Sequence, residues 1–231
     1  MSEFSETEIK IATEQEWQEY YAALGQFMFE FATAEEEISR RLADFVIFKL
    51  LGLGNGESLR KQEIVRALMV GMRINSMKDT LKRLLRITDA DDKRTAEVSS
   101  ILTHLSDITA LRDQLAHHAS YPTMKPDGSF QTTNQSTSKE PMRIEWIEFT
   151  PAVLLDAAED LHRIPYMLSF SISPDGEAEK RRLSESSELW RQEIEKLAQP
   201  WRYKPAGLTR TGPKHDHNPR WRSLPPEPSQ A

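Results

Sequence analysis

The side chains best suited to chemistry lie in ALRDQLAHHAS, residues 110 to 120, where Arg112, Asp113, His117 and His118 follow one another closely. Histidine can take and return a proton near neutral pH. Arginine offers a planar, permanently charged fork that grips a phosphate. Asp113 precedes His117 by four positions, the helical spacing from which a carboxylate can orient a ring. A position near the carboxy-terminal end of a helix favours the protonated imidazole through the macrodipole. Together these groups suit proton transfer at a bound phosphate ester.

The cluster must be held by a helix, and the preceding residues predict one. Ile101, Leu102, Leu105, Ile108, Leu111 and Leu115 recur at steps of three and four, one stripe of a helix over Thr95 to His118. Upstream, Trp17, Tyr20, Tyr21, Leu24, Phe27, Met28, Phe31, Ile38, Leu42, Phe45 and Val46 predict a long first helix over Glu14 to Leu50, with a bend at Gly25 or Ala34. GLGNG at residues 52 to 56 stops it. Ser58 to Met72 and Asn75 to Ile87 carry two further helical patterns, and the pattern leaves open whether Gly71 to Asn75 separates or only kinks them.

After Ser120 the periodicity ends in PDG and a Ser/Thr/Asn/Gln run, both turn and loop signals. MRIEWIEF, residues 142 to 149, starts with the alternation of a half-buried strand and then slips phase. Either it bulges near Trp146 or its end is buried on the other face. A short hairpin with residues near Tyr121 is expected. Thr150 and Pro151 read as a helix cap and first turn, followed by an apolar stripe to Leu168 with a kink or break at Pro165. A charged surface helix should follow from Ser173. The last 33 residues hold seven of the 13 prolines and are expected to be irregular.

Composition narrows the function classes. A chain of 231 residues with 38% hydrophobic content supports one core plus appendages. With no cysteine, disulfides, thiol catalysis and thiolate metal sites are excluded. Charge interrupts every apolar run before it reaches the roughly 18 to 20 residues of a membrane span. The start MSEFSETEIK lacks a signal pattern, so a cytoplasmic protein without membrane partners is expected. Net charge is −6, but residues 199 to 231 are at +4, leaving an acidic body that argues against broad, nonspecific nucleic-acid binding. Phosphate-loop, dinucleotide and GxSxG motifs are absent, and neither cofactor nor metal is expected.

LRDQLAHH, residues 111 to 118, resembles the R-x4-6-H signature of the HEPN superfamily, with Arg112, Asp113 and His117 at its marked positions. The setting is similar: a long first helix containing FATAEEEISRRL, an intermediate helical unit, and a helix ending in the motif. Chance alone gives about 0.5 R-x4-H matches in a chain of this composition, so placement and the intervening acid carry the weight. Arg210 and His215 repeat the spacing in TRTGPKHDH, where proline and glycine forbid the helix.

The resemblance covers about residues 14 to 172. It implies a mainly α, up-and-down helical bundle with a small β-hairpin excursion after the motif helix. It also implies a homodimer through the motif helices, because Arg112 and His117 are about 140° apart on one helix and do not aim at one point. Each subunit would supply both residues to a composite site producing 2′,3′-cyclic phosphate and 5′-hydroxyl ends. His118 fits the spacing range less well, being five residues from Asp113, and is assigned an auxiliary substrate-binding role.

The expected organisation is thus a segment over 1–13, the helical domain over 14–172, a charged helical extension over 173–198 and a basic, aromatic tail over 199–231. The expected activity is that of a HEPN-type ribonuclease in a toxin–antitoxin or antiviral defence system, with RNA as substrate and an antitoxin or other protein as further partner. The alternative is a noncatalytic dimeric interaction module, in which Arg112 and Asp113 form a solvated ion pair and the histidines close the helix. A third class, a small-ligand protein using Arg112 and the histidines as anion ligands, also fits these residue types.

Other candidates have simpler explanations. Glu35, Glu36 and Glu37 are consecutive and point in different directions on a helix, which suits a solvated face. His215 and His217 are too few ligands for a metal site. Trp201, Tyr203 and Trp221, interleaved with basic residues, suit base stacking, a protein partner or an irregular tail equally.

Overall fold

The computed structural model describes residues 12–52, 59–69, 72–87, 90–117, 122–133, 146–173, 175–205 and 209–211. It is a mainly helical bundle with a small antiparallel sheet. Helix α1 spans Glu14–Asp44 and passes into a π-helical end over Phe45–Leu50. Thr13 and Glu16 close its first turn reciprocally, the Thr13 hydroxyl accepting from the Glu16 amide and the Glu16 carboxylate from the Thr13 amide at 2.8 Å. The helix is continuous through Gly25 and Ala34.

Helices α2, Leu59–Met69, and α3, Ile74–Ile87, are separate, so the segment around Arg73 divides them rather than bending one rod. Helix α4 spans Asp92–His117. It starts before the expected Thr95 because the Asp91 carboxylate accepts from the Arg94 amide at 2.8 Å and caps the earlier turn. Helix α5, Pro151–Ile172, runs unbroken through Pro165. Proline there removes one backbone donor, and burial of Pro165, like that of Leu161, Ile164 and Leu168 on the same helix, offsets the loss.

Helices α1 and α5 form the most extensive pairing and run in the same direction, with Tyr20 beside Phe149 at one end and Arg41 over Tyr166 farther along. Helix α4 lies antiparallel to α5. Arg94 at its start donates to the carbonyls of Ser171 and Ile172 at the end of α5, the latter at 2.6 Å. Their shared core includes Ile101, Leu105, Ile108, Leu154, Leu161 and Ile164, all 3% exposed or less.

Strands β1 (Thr123–Met124), β2 (Phe130–Thr133), β3 (Trp146–Phe149) and β4 (Thr209–Thr211) form one antiparallel sheet in that order. The β1–β2 turn uses Gly128 at φ 83°, and the Asp127 carboxylate accepts from the Ser129 amide at 2.9 Å. The expected hairpin of the 142–149 strand with residues near Tyr121 does not form: Thr123–Met124 pairs with Phe130–Thr133, and β3 adds to the far side of β2, because the tight turn at Gly128 brings β2 between them. Register from Trp146 opposite Thr133 to Phe149 opposite Phe130 is unbroken, and Ile147 and Phe149 are buried. That resolves the phase slip as burial of the strand's end, without a bulge in the described part; Met142 and Ile144 lie outside the described residues. Phe130 stacks on Tyr20 at 4.5 Å, fixing the sheet against the first half of α1.

Helices α6, Gly176–Ser186, and α7, Glu188–Leu197, replace the single charged extension, with the Ser187 hydroxyl capping α7. The chain beyond is more integrated than its proline content implies. Tyr203 is 2% exposed and Trp201 packs against the core, while residues 209 to 211 supply β4. Among the described residues no helix is long and apolar enough to cross a membrane.

Candidate functional site

Leu111, fully buried, anchors the last turns of α4 in the core and places Arg112 at the edge of the buried stripe. The Arg112 guanidinium lies over the ring of Phe31 on α1, 4.7 Å from its centroid. Phe31 is itself 3% exposed, so the cation rests on a fixed aromatic face. Its Nη1 donates to Asp113 Oδ1 at 2.9 Å, while its Nε is buried without a hydrogen-bond partner among the described residues. The side chain remains 31% exposed. It can thus receive an anion while its stem and one nitrogen are held within the bundle.

Arg112 and Asp113 are therefore brought together. The Asp113 carboxylate engages the arginine, the contact expected of the structural reading of the cluster. His117 is the final residue of α4. Its side chain, like all of His118, lies outside the described residues. Because α4 is an uninterrupted α-helix from 92 to 117, positions 112 and 117 stay about 140° apart on it. Glu37 binds Arg40 at 2.6 Å and approaches Arg41 at 3.7 Å, giving that acid a structural partnership. His215, His217 and Trp221 lie outside the described residues.

A second polar centre escaped the sequence pattern. Asp160 on α5 is fully buried and His104 on α4 is 7% exposed, with His104 Nε2 2.8 Å from Asp160 Oδ2. The same carboxylate receives Arg163 Nη1 at 3.0 Å and the backbone amides of Arg202 and Tyr203, each at 2.9 Å. Burial alone would raise the Asp160 carboxyl's pKa. The hydrogen bond from His104, the Tyr203 and Arg202 amides and the charge interaction with His104 outweigh it, holding the group below the usual carboxylate range.

Arg163 extends this centre along the chain, donating to the carbonyls of Leu197, Gln199 and Pro200. Trp201 stacks on His104 with ring centroids 4.1 Å apart. These bonds satisfy the irregular backbone after α7, which is how a proline-rich segment can pack on a core without helix or strand. The sequence signal was available: Asp160 interrupts the stripe Ala157, Leu161 and Ile164, where an acid needs a partner. The network is enclosed and its acceptors are engaged, so its evident chemistry is structural.

No family model, curated protein or solved structure matches the chain. The functional reading rests on the residues and their placement.

Proposed function

We propose that this protein is a metal-independent endoribonuclease of the HEPN type, a cytoplasmic homodimer acting in a toxin–antitoxin or antiviral defence system. The observation that carries this reading is Arg112, a partly exposed guanidinium seated over Phe31 on the helix that ends at His117. A cation held there can bind the scissile phosphate and offset charge gained in the transition state. His117, at the end of the same helix, would exchange protons with the 2′-hydroxyl or the leaving 5′-oxygen. Attack by the 2′-oxygen forms its bond to phosphorus as the bond to the 5′-oxygen breaks, leaving a 2′,3′-cyclic phosphate and a 5′-hydroxyl.

Two copies of α4 would bring both residue types to one substrate. The basic reach of Arg112 at a helix end suits a single bound phosphate, compatible with an otherwise acidic body. Incubation of a mixed RNA pool with purified protein in a chelator, followed by analysis of product ends, tests the activity. The expected products carry cyclic phosphates.

A second reading is favoured by the 2.9 Å pairing of Arg112 with Asp113. In it the protein is a noncatalytic dimeric interaction or regulatory module, and this end of α4 contacts protein or nucleic acid. Folded, dimeric protein that leaves the whole RNA pool intact would support the module and count against the ribonuclease.

A further inference from the structure

We infer that the cavity between α1, α5 and α7 binds a small organic cation with an apolar body, an arylalkylammonium in chemical class. The cavity measures about 490 Å³ and is independent of the Arg112 cluster. Its origin is the way α7 is attached. Arg163 ties the carbonyls of Leu197 and Gln199 to α5, fixing the carboxy-terminal end of α7. The helix carries an apolar face with Trp190, Ile194 and Leu197, yet none of its residues is fully buried. The space beside that face is the cavity, whose inner wall includes the nearly buried Phe170.

The walls define the ligand. Tyr166 and Trp190 meet edge to face, with centroids 6.4 Å apart and planes at 67°. Tyr166 already faces Arg41 at 4.3 Å and Phe170 faces Lys180 at 5.7 Å, whereas Trp190 carries no cation among the described residues. An indole ring attracts a cation over its face and also packs against an apolar body.

The charges have the complementary sign. Lys196 is paired with Glu193 at 2.7 Å, and Arg163 with Asp160 at 3.0 Å. The carboxylates left on the lining are Glu30 from α1 and Glu159 from α5. Among the described residues Glu30 has only His162 at 3.9 Å, a side chain 57% exposed, while Glu159 forms no ion pair but lies within the electrostatic reach of Lys196. Two facing helices thus present net negative charge, least compensated at Glu30, beside an aromatic corner and an apolar wall. An ammonium satisfies the first, and an aryl or alkyl body fills the second.

Calorimetric titration of the full chain with 2-phenylethylammonium, 2-phenylethanol and 3-phenylpropionate tests this assignment. The ammonium should bind saturably, the alcohol about tenfold more weakly, and the carboxylate still more weakly. Glu30→Gln and Trp190→Leu should each weaken ammonium binding about threefold to tenfold while circular dichroism remains unchanged. If Trp190→Leu does not fold, Glu30→Gln and the ligand series decide. Equal affinity for ammonium and alcohol, wild-type affinity in Glu30→Gln, or no saturable ammonium binding up to about 10 mM would overturn the proposal.

Discussion

His104 Nε2 and Asp160 Oδ2 meet at 2.8 Å inside the bundle, and the Asp160 carboxylate also accepts the amides of Arg202 and Tyr203. One buried acid therefore joins α4, α5 and the segment after α7. Asp160→Asn preserves the shape but turns one acceptor into a donor aimed among existing donors. Urea unfolding should show a loss of about 3 to 5 kcal/mol, the usual consequence of breaking a buried charged network from one side. A loss below about 1 kcal/mol would contradict this role.

The same acid predicts a pH dependence. Its folded pKa is depressed, so the unfolded chain binds its proton more readily. The resulting stability is present above the ordinary carboxylate pKa, about 3.9, and is lost as pH falls through the lower folded value. Denaturant midpoints measured downward from pH 5 should therefore fall more steeply for wild type than for Asp160→Asn. Parallel curves would show that Asp160 does not carry the effect.

Trp201 covers His104 at 4.1 Å, and its ring also lies 5.2 Å from the Arg163 guanidinium carbon. Trp201→Ala should cost about 3 kcal/mol and loosen the chain around Arg202. Limited trypsin digestion followed by mass spectrometry should find cleavage after Arg202 early in the variant and late in wild type. Equal rates would mean that the stack does not hold the segment down.

Gly176 opens α6 directly against α5. A Cβ built there would stand 1.8 Å from the Phe170 carbonyl oxygen, and backbone at such a distance must move. Gly176→Ala is expected to destabilise by about 3 kcal/mol. Thermal unfolding with Gly25→Ala as the control checks this, because nothing lies within 4 Å of a Cβ at Gly25.

On the proposed ribonuclease reading, Phe31 should act on cleavage through Arg112, as a positioning residue. Phe31→Leu removes the aromatic face beneath the guanidinium, and kcat/KM for RNA should fall about threefold to tenfold. Phe31→Tyr, which restores a ring, should recover most of it. The two variants should remain folded and dimeric; an equal loss in both would point to packing instead.

Much of the bundle was legible because helices advertise themselves by period. The stripes around Phe27, Leu81, Leu105 and Leu161 supply much of the core, although Tyr21 and Met28, read on the first of them, are exposed at 54% and 41%; Pro151 marked the first turn of α5. Of the kink or break expected at Pro165, the break does not occur, because burial keeps α5 continuous where local backbone preference would end it. Trp201 and Tyr203 were hidden for the opposite reason. Proline-rich irregular sequence has no period, and its ordering depends on Asp160 and Arg163, roughly 40 residues earlier. At the candidate site, spacing located Arg112 and Asp113, but Phe31 beneath the guanidinium is a tertiary contact that spacing along α4 could not supply.

The ribonuclease assignment is tested most directly by cleavage of a mixed RNA pool in EDTA, comparing wild type with Arg112→Ala and His117→Ala. Folding and dimerisation are measured on the same preparations. Wild type should cut and leave 2′,3′-cyclic phosphate ends, while each variant should lose at least about a hundredfold in rate and remain a folded dimer. Cleavage undiminished in both variants, or an untouched pool with folded, dimeric wild type, would contradict the assignment.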